Sequence, residues 1–147
     1  MVIAYLKPAG LPVNYFCCRF IYNQHVTATF PSDSELLKIK KPAQYLGGET
    51  GQIVKDESTV DFHVCLAFPD TYEVGMSHFG LQILYEVVNR MPGVWAERAY
   101  VPEEDMEALL RARQIPLFSL ESRRALSGFD LLGISLQYEL CGTGVLS

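Results

Sequence analysis

No two of the four cysteines, Cys17, Cys18, Cys65 and Cys141, have the spacing by which one turn offers a metal two thiolates. A metal site is therefore not expected. Adjacent Cys17 and Cys18, with the other two far off, also do not form the framework of a small disulfide-stapled secreted protein, so a reducing cytoplasm is the expected compartment. Long apolar runs are missing too. None approaches the roughly twenty residues that span a bilayer, and Lys7, Pro8, Pro12 and Arg19 interrupt the start where a signal peptide would need continuity. Neither a membrane span nor an export signal is expected. An excess of basic charge is the last absence. The net charge is −5, and residues 61–147 hold six basic against twelve acidic groups. Binding to nucleic acid rests on clustered Lys and Arg that neutralise phosphates, so nucleic acid is not an expected partner.

What remains is an ordinary globular composition, 49% apolar and 20% charged over 147 residues, enough for one core and a tail. Residues 1–33 mix aromatic, β-branched and cysteine residues around Pro8, Pro12 and Pro31 and read as an atypical, poorly specified segment. Residues 34–60 form a lead-in with the turn pair Gly47-Gly48. The domain proper is expected over 61–147.

Phe62–Phe68 is a short apolar run closed by Pro69-Asp70, the pattern of a strand buried on both faces. Leu81, Leu84, Tyr85 and Val88 then recur at i, i+3, i+4 and i+7, which predicts a helix stopped by Pro92-Gly93. Val94–Tyr100 can form a second strand. Pro102 and the acidic Glu103, Glu104 and Asp105 suit a helix start, and Arg111 and Arg113 suit its end. A short or edge strand is predicted over Ile115–Leu120, limited by Pro116, and another over Phe129–Leu136. Strands alternating with helices predict an α/β fold, a doubly wound and mostly parallel sheet of Rossmann-like or flavodoxin-like type. With eleven residues after Leu136, the domain is expected to be incomplete at its C-terminus. Its open sheet edge would then favour self-association.

Open α/β sheets bind ligands at the carboxyl ends of their strands, which directs attention to the loop Pro69–His78. Asp70, Tyr72, Gly75, Ser77 and His78 are candidate binding residues. Gly75 permits close backbone approach, and the following helix N-terminus offers N–H groups to an anion. The competing reading is that Asp70 or Ser77 merely caps a helix. Ser135, ending the last strand, would lie close to this loop if the two strands are neighbours; it could equally bond to backbone. His63 is expected to be packed inside its strand, and His25 has no role assigned. Ser77, His78 and Asp70 lack the separation and nucleophile elbow of a hydrolytic triad.

Four separated motifs resemble a known family: Lys41-Pro42-Ala43-Gln44-Tyr45-Leu46-Gly47-Gly48-Glu49, Ala67–His78, Phe118-Ser119-Leu120-Glu121-Ser122-Arg123 and Ser135-Leu136-Gln137-Tyr138-Glu139-Leu140. They are similar to the N-terminal region of bacterial radical S-adenosylmethionine proteins with a cobalamin-binding-type domain. The resemblance implies a downstream barrel in which a CxxxCxxC motif holds a [4Fe–4S] cluster that cleaves S-adenosylmethionine. This chain has no such motif, so an N-terminal fragment without catalysis of its own is expected, with the downstream radical domain as its partner. Cobalamin is the cofactor that the resemblance implies here. Cobalamin domains with a histidine lower ligand carry D-x-H-x-x-G, and Asp70 to Gly75 follows that pattern with Tyr72 in place of the histidine. Either cobalamin binds without a protein imidazole, or the domain keeps the shape without the cofactor. The alternatives to a radical-enzyme fragment are an independent α/β module binding a nucleotide or corrinoid, and an interaction protein pairing through its sheet edge.

Overall fold

A computed structural model describes residues 30–136, together with the backbone of residues 2–6. The expectations for Cys17, Cys18, His25 and Cys141, and for the Gln137–Leu140 end of the last motif, lie outside the described residues. The strands are β1 (Val2–Leu6), β2 (Phe62–Phe68), β3 (Val94–Tyr100) and β4 (Leu131–Ser135). The helices are α1 (Asp33–Leu36), α2 (Tyr72–Met76), α3 (Phe79–Asn89) and α4 (Glu104–Arg113).

The sheet order is β1-β4-β2-β3. β2 is parallel to both neighbours, pairing Phe62 with Val94 through Phe68 with Tyr100 on one side and Val64 with Leu131 through Ala67 with Ile134 on the other. The chain therefore steps from β2 outward to β3 and returns past β2 to β4, which makes β2 the point where strand order reverses. β1 joins β4 antiparallel, Val2 opposite Ser135 and Leu6 opposite Leu131. Three parallel strands with flanking helices in an open sheet are the expected α/β, Rossmann-like arrangement. The strand at Val2–Leu6 was not expected. It covers the β4 edge that the sequence reading left open.

Apart from His63, β2 is apolar, because both of its faces are covered. Val64, Leu66 and Phe68 meet Leu81 and Tyr85 of α3, with Ala96 of β3 in the same cluster. On the opposite face, Cys65 packs with Ala99, Leu126, Phe129 and Leu132. Fully burying a side chain such as Leu81 is worth roughly 1.5–3 kcal/mol. The predicted apolar stripe on α3 holds at three of its four positions: Leu81 and Tyr85 are buried and Val88 packs against the same cluster, whereas Leu84 is exposed. Phe79 and Ile83, at 78% and 61% exposure, and Val87 continue an uncovered apolar row along the helix.

α4 follows the predicted charge pattern, with Glu104, Asp105 and Glu107 in its first turn and Arg111 and Arg113 in its last. Its buried Met106 and Leu110 belong to neither of the two sheet clusters. They join Leu36, Ile39, Tyr45, Ile115 and Phe118 in a third cluster. Leu36, Ile39 and Tyr45 of the lead-in, residues 34–60, thus pack against α4. Lys40 N–H donates to the Asp105 carboxylate at 2.9 Å and Glu103 N–H donates to the Tyr45 hydroxyl at 3.0 Å. The Glu35 carboxylate accepts from the Ser32 N–H and hydroxyl at 2.9 and 2.8 Å, holding the start of α1.

The strand expected over Ile115–Leu120 does not form. Only an isolated bridge pairs Phe118 with Ala125. The physical reason is a split of its apolar residues: Ile115 and Phe118 enter the α4 cluster, while Leu117 packs on the far face of the sheet. Pro116 also removes a ladder donor.

Candidate functional site

The loop after β2 lies at the carboxyl end of the central strand, where open α/β sheets place ligands. Each of its candidate groups has a partner within the fold. The Asp70 carboxylate accepts from Thr71 N–H at 2.7 Å, and the Asp70 carbonyl accepts from Val101 N–H at 3.0 Å, pinning the loop to the end of β3. The Tyr72 hydroxyl donates to Glu49 Oε1 at 3.0 Å, and its ring meets Tyr100 edge-on at 5.6 Å. Burial, aided by the bond to Glu49, pushes the Tyr72 phenol up to about 12.

Gly75 is buried inside α2. A Cβ placed there would fall 2.3 Å from Tyr100 Cε1, so the glycine makes room for a tyrosine ring of the protein itself. The Ser77 hydroxyl returns to the Val74 carbonyl at 2.8 Å. His78 is the N-cap of α3, its Nδ1 accepting from Leu81 N–H at 3.1 Å, and its ring lies 5.1 Å from Phe68. The capping role considered for Asp70 or Ser77 is performed at α3 by His78; Thr71 stands at the N-cap position of α2 without a side-chain cap bond. Ser135 ends β4 one residue past the Ala67–Ile134 pair, beside this loop as expected of neighbouring strands.

These residues do not fit a corrin held by a protein imidazole. The position that would carry the lower imidazole holds a tyrosine tied to Glu49, and the glycine cradle is filled by Tyr100. No group of three or more His, Cys, Asp or Glu among the described residues could hold a metal ion, and the described Cys65 is buried. Its thiol is pushed well above its usual range by burial, with Glu97 and Glu121 adding to the effect. These residues offer no ligand set for an iron–sulfur cluster.

The polar centre of the region is Arg98, which sequence reasoning passed over. Only 4% exposed, it donates from Nε to Glu121 Oε1 at 2.6 Å and from Nη1 to Met76 Sδ at 3.2 Å, and its guanidinium lies 4.4 Å from the Tyr85 ring centroid. Tyr100 also donates to Met76 Sδ, at 3.2 Å. Burial, the largest single influence, draws the Arg98 guanidinium down, but the charge and hydrogen bond of Glu121, with Tyr100 and Tyr85 adding to them, together raise it above its usual range. Burial likewise lifts the Glu121 carboxyl above its ordinary range, against the pull of Arg98.

Glu97, the preceding residue, points to the other face. Its Oε2 accepts from the Ser119 hydroxyl at 2.7 Å and from the Ser122 N–H and hydroxyl at 2.9 and 2.7 Å. Arg98 N–H donates to Glu121 Oε2 at 2.7 Å, and Leu120 N–H donates to the Arg98 carbonyl at 2.8 Å. The loop Ser119–Arg124 is therefore saddled over the outer edge of β3, gripped on both faces by consecutive residues of one strand. The signal for this was present: Glu97-Arg98 puts two charges inside a strand of buried pattern, and buried charges require partners on each face.

The geometry defines an open α/β domain whose carboxyl-end loop is tied into its own fold. Residues 80–147 match the family model for the N-terminal region of radical S-adenosylmethionine proteins, which supports a radical S-adenosylmethionine relationship. No curated protein and no solved structure matches the chain. Among the described residues no helix is long and apolar enough to cross a membrane.

Proposed function

We propose that this chain is an N-terminal segment of a radical S-adenosylmethionine protein, a scaffold domain of cobalamin-binding type in shape that binds no cobalamin and does no catalysis alone. The family match over residues 80–147 carries the relationship. The internal engagement of Tyr72 and Gly75 supports the loss of the cofactor. β4 runs parallel to β2, so chain leaving β4 departs at the same end as the Pro69–His78 loop. In this reading that end faces the radical domain, and the loop orders the surface against which the domain sits.

Two measurements test this. The encoding DNA beyond codon 147, read in three frames, should contain a CxxxCxxC motif, and its absence would remove the radical reading. Absorbance titration of the chain with hydroxocobalamin should show no saturable spectral change. Saturable binding would instead favour a corrinoid module.

A further inference from the structure

α3 covers only part of the sheet face on which it lies. A helix with its side chains is about 10–12 Å across, the width of two strands spaced about 4.8 Å apart. Among the described residues, the apolar cluster on this face takes side chains from no other helix, and Leu131 of β4 is only partly buried against it. The Asn89 side chain bonds the outer backbone groups of Ala96 at 2.9 and 3.0 Å, which fixes the rotation of α3 with the Asn89 flank toward the outer edge of β3. At about 3.6 residues per turn, Gly80, Leu84 and Val87 fall on the opposite flank, toward β4, and Met91 follows just past the helix end. Leu84, Val87 and Met91 are 37%, 49% and 49% exposed. Beside them Gly133 shares a face with its register partner Leu66, and a Cβ built on it would meet nothing closer than Leu66 Cδ2 at 3.6 Å. This leaves an apolar shelf over β4, walled by α3. On the opposite face Leu126 and Phe129 already close over Cys65 and Leu132.

We propose that residues 137–147, which follow β4, dock on this shelf with Tyr138 and Leu140 against the α3 flank. Position, reach and composition select this occupant. Ser135 stands one residue past the Ala67–Ile134 pair, level with Phe68 of the parallel β2. The His78 ring lies 5.1 Å from Phe68 and caps α3, so the chain leaves β4 beside the first turn of that helix. Eleven extended residues reach about 36 Å, whereas the eleven of α3 rise only about 16 Å. Tyr138, Leu140, Cys141, Val145 and Leu146 are apolar, and Glu139 is the segment's one charged residue. A second copy of the chain is disfavoured, because three partly exposed side chains fall short of the roughly 800 Å² per partner that a stable complex buries. A tethered segment needs less, since its local concentration is set by the few residues that join it to β4. This seating goes beyond the radical reading and does not depend on it.

Photo-crosslinking in the full chain tests this. Val87→p-benzoylphenylalanine puts a photoreactive ketone on the shelf wall, and mass spectrometry after irradiation locates the adduct. The expected adduct lies within residues 137–147 of the same molecule. An adduct to a second copy, an adduct to residues 7–29, or a yield no higher than that of the same probe at exposed Lys38 overturns the proposal. Leu140→Asp changes the segment alone and should lower the yield roughly tenfold, as expected for the loss of one buried leucine, whereas Glu139→Gln should leave it unchanged. An undiminished yield in Leu140→Asp would overturn the packing role given to that residue.

Discussion

Gly75 shows how a residue suited to a ligand can serve the protein's own packing. A glycine within a strand-end loop reads as room for close approach, and here the room is taken by the ring of Tyr100. Gly75→Ala should therefore destabilise the fold by about 1–3 kcal/mol through overpacking, read as a lower urea midpoint with unchanged slope. Retained stability would mean that the ring can yield. Tyr72 carries a second expectation. Its folded pKa, near 12, lies above the ordinary 10, so the folded state holds the phenolic proton more tightly than the unfolded state. Its contribution is complete below pH 10 and is lost as pH rises toward 12. Burial raises Tyr85 and Tyr100 in the same direction. Urea midpoints should fall across this alkaline window in the native chain and fall less steeply in Tyr72→Phe.

Among the elements, β2, α3, β3, α4 and β4 were all legible, because each carries one dominant period or a boundary signal such as Pro92-Gly93 or the charges flanking α4. Ile115–Leu120 misled for the opposite reason: its apolar residues serve two separate clusters, a division that no local pattern encodes. β1 was illegible because its five residues are stabilised as a strand by β4, more than a hundred positions away. The site divides in the same way. The β2 loop was found from topology, whereas the Arg98 centre required partners from Glu49, Met76 and Glu121 that converge only in three dimensions. β3 itself offers a test. The Asn89 side chain donates to the Ala96 carbonyl at 2.9 Å and accepts from the Ala96 N–H at 3.0 Å, acting as a surrogate neighbouring strand. Asn89→Ala would leave both backbone groups unmet at about 1–3 kcal/mol each. Thermal unfolding should show the loss, and a variant as stable as the native chain would contradict the assignment.

Taken whole, the molecule has two kinds of boundary. The outer edge of β3 is closed by side chains and the saddle loop, the means by which sheets avoid pairing with other chains. The outer row of α3 is not closed: Phe79, Ile83 and Val87 stand apolar toward solvent, and contiguous exposed apolar surface promotes association. A Phe79→Ser and Ile83→Lys double variant should leave the unfolding midpoint within about 0.5 kcal/mol of the native value while shifting light scattering toward smaller species. If association persists undiminished, its seat lies elsewhere.

The saddle over β3 also decides how fast the sheet margin trades its protons with solvent. Margin amides ordinarily exchange readily, yet those of Ala96 and Arg98 are held by Asn89 and Glu121. Their exchange must await detachment of these side chains, a local opening rather than global unfolding. For Arg98, deuterium uptake thus becomes a direct gauge of how firmly the loop is seated, so that any partner pressing the loop down would be visible as slower uptake at this one amide.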